Sequence, residues 1–103
     1  MKGVGNLQKM LKQAQEMQER IKKEMDELRV KGSSGGEMVE VTLDGNKNIV
    51  SIKIDSEVVN KDDVEMLQDL ISAAFNDACG QVDDQVKEKM GAMGAGLKIP
   101  GLT

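Results

Sequence analysis

A chain of 103 residues with one cysteine, one aromatic side chain and no histidine is a single small domain with few chemical options. Its net charge of −4 rules out wholesale attraction to polyanions, so any anionic partner must be met by a local basic patch. Cys79 has no partner for an internal disulfide, no secretory leader is visible, and no run of 18 apolar residues offers a membrane span; the chain reads as cytosolic.

The first 28 residues carry a heptad pattern. Counting from Val4, position a holds Val4, Leu11, Gln18 and Met25, and position d holds Leu7, Ala14, Ile21 and Leu28. Four heptads without Pro, and without Gly beyond Gly5, predict a long amphipathic helix, about 35 Å at 1.5 Å per residue. That exceeds the width of a compact domain of this size, so the helix should project or find a partner along its seam. Charge is uneven along it. Residues 1–15 hold Lys2, Lys9 and Lys12 and no carboxylate, residues 16–31 balance five bases against five acids, and the remainder sums to −7. Lysines near a helix N-terminus oppose the macrodipole by about 0.3–1 kcal/mol each. Helix stability does not explain them, whereas an anionic partner does.

Next, Leu28 to Lys31 alternates as a short strand, and Gly32-Ser33-Ser34-Gly35-Gly36 reads as a flexible turn. No Gly-Lys-Ser/Thr follows it, so it is no phosphate loop. Met38 to Leu43 places Val39, Val41 and Leu43 on one face; Ile49 to Ile54 places Val50, Ile52 and Ile54 inward. Such alternation predicts antiparallel strands joined by a hairpin at Asp44-Gly45-Asn46-Lys47-Asn48. Asp44, Asn46 and Asn48 begin like a calcium loop, but Ile49 stands where that loop needs Gly and Asp55 where it needs Glu, so calcium is rejected. Val58 and Val59 should pack on the sheet edge. A second long helix follows, with Asn60 as the expected N-cap, Asp62, Asp63 and Glu65 near its start, and an apolar stripe from Val64 to Met93. Gly80 interrupts the stripe, as a close helix approach or a bend would require. Gly91, Gly94 and Gly96 mark the helix end, and an apolar tail closes the chain. The division is a projecting helix over 1–28, a three-stranded antiparallel sheet over 29–54, a second helix over 61–93 and a tail over 94–103. This is an α+β domain of order α-β-β-β-α.

Catalysis has little to work with. Without histidine there is no side chain whose ordinary pKa lies near neutrality, and no nucleophile–base pair can be drawn. Asp62-Asp63 and Asp83-Asp84 are neighbours that point to different helix faces. Cys79 reads as a small apolar residue on a helix face. The chain should be no enzyme and need no cofactor, metal or small-molecule substrate. Base reading and single-strand stacking also lack their usual elements. Phosphate attraction remains, since it requires only clustered Lys and Arg. The candidates are Lys2, Lys9, Lys12, Arg20, Lys22 and Lys23 on the first helix, with Lys87 and Lys89 late in the second. Glu16 four before Arg20, and Glu19 four before Lys23, offer those two bases intrahelical partners instead.

Several stretches together resemble the YbaB/EbfC family of bacterial nucleoid-associated DNA-binding proteins. They are Asn6-Leu7 through Lys12-Gln13-Ala14-Gln15-Glu16-Met17-Gln18, Val39 to Asp44-Gly45, and Val50 to Asp55. Glu65-Met66-Leu67 through Ala73-Ala74-Phe75-Asn76-Asp77-Ala78, Lys87-Glu88-Lys89-Met90 and Gly96-Leu97-Lys98-Ile99-Pro100-Gly101 complete the match. The resemblance spans nearly the whole chain in order. It implies a cytoplasmic, nucleoid-associated homodimer shaped like tweezers that binds duplex DNA with low sequence preference, without enzymatic activity or cofactor. One departure is Cys79-Gly80-Gln81, where family members often carry basic residues. The alternative from a different class is a protein-interaction module whose first-helix seam, flanked by Met10 and Met17, grips an amphipathic partner helix.

Overall fold

The computed structural model describes the backbone of residues 2–95 and the side chains of residues 5–91. Its order is α1 (Lys2–Glu27), β1 (Val30–Ser34), β2 (Val39–Leu43), β3 (Ile49–Ile54), a 3-10 turn (Ser56–Val58) and α2 (Val64–Ala95). This is the expected α-β-β-β-α domain. The strands form one antiparallel sheet in the order β1-β2-β3.

α2 lies across β1 and β2, and the core is the layer between them. Val30 from β1, Val39, Val41 and Leu43 from β2, and Ala74, Ala78 and Val82 from α2 are buried together with Val58. Alternation along β2 supplies three of these side chains to one face, as period two requires. The helix approaches closely because the facing residues are small. A Cβ on Gly32 would run into the backbone of Ala74 and Ala78, lying 2.7 Å from the Ala78 Cα. Two further bonds hold the approach: the Ser33 N–H donates to Asp77 Oδ2 at 3.0 Å, and the Ser34 hydroxyl donates to the Leu70 carbonyl.

Gly32, Ser33 and Ser34 therefore belong to β1 and not to a turn. A glycine inside a strand marks a close backbone approach, and here that approach is the helix crossing. The turn begins one step later, where Gly35, Gly36 and Glu37 all take left-handed backbone angles (φ 60°, 66° and 71°). The N-cap of α2 also differs from expectation. The Asp63 carboxylate accepts the Met66 N–H at 3.2 Å, while Asn60 closes only the preceding turn onto the Asp62 N–H. Val58 is buried as expected, but Val59 faces outward. Gly80 has nothing within 4 Å of a notional Cβ, so no close approach explains it.

The larger correction concerns β3. Every residue of this strand is exposed, with Ile52 at 43% and Ile54 at 40%. Ile52 pairs with Val41 and Ile54 with Val39, so both stand on the helix-covered face. α2 does not reach that far. Pairing jumps between Thr42 and Leu43, leaving Val50 out of register with any β2 residue. The inward set predicted for this strand is thus inward in direction for Ile52 and Ile54, yet uncovered.

Candidate nucleic-acid interface

The structure is drawn out along the arm. Its extents are 75 × 24 × 16 Å and its radius of gyration is 20.2 Å, against about 13 Å for a compact chain of this length. α1 accounts for much of this, at 26 residues and about 39 Å. It has no sheet or helix packed along it comparable to the packing of α2 on β1 and β2. Its seam residues toward the free end stay open to solvent: Leu7 is 59% exposed, Met10 65% and Leu11 57%.

The arm is held at its root. The last helical bond runs from the Leu28 N–H to the Glu24 carbonyl. Arg29 then folds back, donating from Nη1 to the carbonyls of Asp26 and Leu28 at 2.8 Å each, which satisfies oxygens the helix end leaves free. Met25 is buried under the β2–β3 hairpin. There the Gly45 N–H donates to the Met25 carbonyl at 2.8 Å, and Asn46 Nδ2 donates to Asp26 Oδ1 at 2.9 Å. A Cβ on Gly45 would stand 2.8 Å from the Met25 carbonyl oxygen. On the other side Lys47 pairs with Asp83 of α2 at 2.8 Å, and the hydrogen bond and charge of Asp83 raise the lysine's pKa. One five-residue turn thereby touches α1, the sheet and α2.

Asp44 organises that turn. Its carboxylate accepts the N–H groups of Asn46 and Asn48 at 2.8 and 2.9 Å, and the Asn48 side-chain amide at 3.2 Å. The Asn48 backbone bond is the main reason its carboxyl lies below the usual range, against an upward pull from burial. The alternate Asp, Asn and Asn that imitate a calcium loop are therefore bonded to one another. Among the described residues no cluster of His, Cys, Asp or Glu is arranged to hold a metal ion.

Lys9, Lys12, Arg20, Lys22 and Lys23 are all exposed on α1. At about 100° per residue, Lys9, Lys12, Arg20 and Lys23 share a sector of about 80° on the side of the helix opposite Leu7, Ala14 and Ile21; Glu16 and Glu27 fall in the same sector, which stays net positive. Lys22 stands apart, beside the seam. Among the described residues none of these five bases has a carboxylate within ion-pair distance, the anticipated Glu16–Arg20 and Glu19–Lys23 partners included. The side chain of Lys2 lies outside the described residues. Lys87 is exposed on α2, while Lys89 stands 3.9 Å from Glu24, which brings the late α2 bases beside the root of α1 rather than its free end. Cys79 is half-buried against the core cluster.

Sequence reasoning found the arm and its bases but missed the hairpin junction that aims them. The Asp44-Gly45-Asn46 run was visible as a turn; its contacts with Met25 and Asp26 span about twenty positions and carry no local signal.

The profile of the YbaB/EbfC DNA-binding family matches residues 1–97. A nucleoid-associated protein of Exiguobacterium sibiricum is 50% identical over 105 residues, covering 99% of each chain. One from Caldanaerobacter subterraneus subsp. tengcongensis is 48% identical, covering 94% of this chain and 90% of its own. The fold is also that of an uncharacterized protein from Helicobacter pylori in a crystal structure, with a TM-score of 0.70 and 24% identity over 84% of this chain and 91% of the other. With its profile matched almost end to end and relatives near half identity, this chain belongs to the YbaB/EbfC DNA-binding family of nucleoid-associated proteins.

Proposed function

We propose that the chain acts as a homodimeric, non-catalytic architectural protein of the cytoplasmic nucleoid, holding duplex DNA by phosphate contacts with low sequence specificity. The observation that carries this is the α1 arm: a projecting rod whose exposed Lys9, Lys12, Arg20 and Lys23 share one side and have no carboxylate partner among the described residues. A rod of this kind can lie along a phosphate backbone without entering a groove, so it attracts by charge and reads little sequence. Lys2 adds a charge to the free end of the chain, Lys22 one beside the seam, and Lys87 one near the root. Lys89 contributes less, because Glu24 stands beside it.

The dimer reading rests on β3. This edge strand offers unpaired backbone groups and uncovered Ile52 and Ile54. On α2, Ile71 and Phe75 are only half-buried against the core cluster. A second copy set against this face would cover it and present two arms, doubling a footprint that one arm makes weak.

Charge reversal tests the arm. Lys9→Glu with Lys12→Glu should weaken duplex binding at least about tenfold. It should also reduce the dependence of log K on log salt by about 1 for each phosphate left unneutralised. Helix content and native mass should not change. Unaltered affinity would reject the cationic side as the contact surface. The exposed seam supports a second reading, a grip on an amphipathic partner helix. In that case charge reversal would matter little, and a polar residue at Leu11 or Met17 would abolish partner binding.

A further inference from the structure

The two long sides of α1 are chemically separate. One carries Lys9, Lys12, Arg20 and Lys23. The other carries Leu7, Met10, Leu11, Ala14, Met17 and Ile21, a sector of about 120° into which none of the charged residues of positions 7–21 falls. If phosphates take the first side, the second still faces water, and near the free end its large side chains are more than half exposed.

We infer that this apolar stripe pairs with the same stripe of a second copy of the chain, and that it does so between neighbouring dimers on one duplex. The inference rests on the DNA reading above and extends it to assembly. The stripe's own pattern is the first reason for this occupant. A 3.5-residue repeat of apolar a and d positions matches another helix of like pattern along its length, not a sheet or a pocket. The second reason is the absence of charge in the stripe, so two copies meet without a like-charge pair at the contact. The third is size. Five large side chains and Ala14 per copy, with Met17 and Ile21 already half-buried, fall short of the ~1,200 Å² that a standing specific interface buries. Such a seam cannot hold free dimers together.

Charge makes the pairing conditional. Residues 1–15 carry three lysines and no acid, so two free tips repel at low ionic strength, where screening is long-ranged. Duplex phosphates neutralise the tips and place adjacent dimers at high effective concentration. The DNA therefore both removes the repulsion and supplies the proximity. Pairing with the apolar side inward leaves both cationic sides outward, still free to hold phosphates.

The test compares a short duplex that accommodates one dimer with a long duplex that accommodates several. It uses wild type and the variant Leu7→Gln with Leu11→Gln, which removes the apolar surface and adds no charge. Both positions are exposed, so folding is spared, and circular dichroism checks it. Wild type should bind the long duplex cooperatively, about tenfold tighter per dimer than the short one. The variant should bind the short duplex within a few-fold of wild type and lose the gain on the long one. In a Cys79→Ser background, Leu11→Cys should crosslink between copies through a bismaleimide on the long duplex, at a native mass above that of the dimer. Retention of the long-duplex gain by the variant overturns the pairing. So does crosslinking confined to the DNA-free dimer, or none at all, either of which leaves the stripe to a foreign helix or another segment of this chain. Failure of wild type to bind even the short duplex overturns the DNA reading itself, and the pairing with it.

Discussion

Gly32 and Gly80 show how differently one residue type is used. Gly32 lets α2 lie on β1 at backbone distance, with the Ala74 and Ala78 main chain where a Cβ would go. Gly32→Ala should therefore cost at least about 1–3 kcal/mol, the usual range for overpacking, because backbone rather than a flexible side chain must move. Gly80 meets nothing, so Gly80→Ala should raise stability by about 0.8–1 kcal/mol through helix propensity. Urea denaturation of the two variants checks both signs together. Asp44 gives the pH dependence at this scale. Its carboxyl titrates below the unfolded value because the turn's N–H groups, Asn48 first, favour the charged form. The stability it contributes is fully present above about pH 3.9 and is lost as pH falls through its lower folded value. Thermal melts from pH 6 to pH 2 should show an acid loss that is smaller in Asp44→Ala than in wild type.

At the scale of elements, the arm and the sheet were legible to different depths. α1 was clear from heptads and from the absence of breakers beyond its first turn, because an exposed amphipathic helix is specified by local pattern. β2 was clear from Val39, Val41 and Leu43. β1 was misplaced, since Gly-Ser-Ser-Gly-Gly has the composition of a turn, and only the helix crossing, more than forty positions away in the chain, makes a strand of its first three residues. β3 read as inward because alternation reports which way a side chain points, not whether anything covers it. The candidate bases were readable as exposed charges, but their freedom from Glu16 and Glu19 was not. The aim of the arm was also invisible, since it depends on Gly45 meeting Met25 and Asn46 meeting Asp26. A Cβ at Gly45 would press on the Met25 carbonyl. Gly45→Ala should accordingly loosen the root of α1, faster amide exchange at Met25 to Leu28 being the readout, while the exchange of β1 and β2 stays slow.

The whole molecule is a small core carrying a long arm, and both its uncovered apolar regions call for other molecules. Ile52 and Ile54 lie at one sheet edge, and Leu7, Met10 and Leu11 lie along the arm. Single exposed apolar residues are ordinary, but a β3 row that shares its face with a buried core is the surface that the proposed second subunit would cover. Ile52→Asp with Ile54→Asp should yield a monomer by native mass and weaken duplex binding, because the paired arms are then separated. A net charge of −4 means that the arm must attract DNA against the repulsion of the rest of the chain. Affinity at moderate salt should be low and strongly screened.

Whether paired cationic arms hold duplex through its phosphates is decided by titrating the intact protein with duplex DNA at two salt concentrations, with native mass measured on the same samples. The expected result is a dimer whose log K falls with log salt at a slope of about −0.9 per phosphate neutralised. A monomer, or a dimer whose affinity for duplex is absent or indifferent to salt, would contradict it.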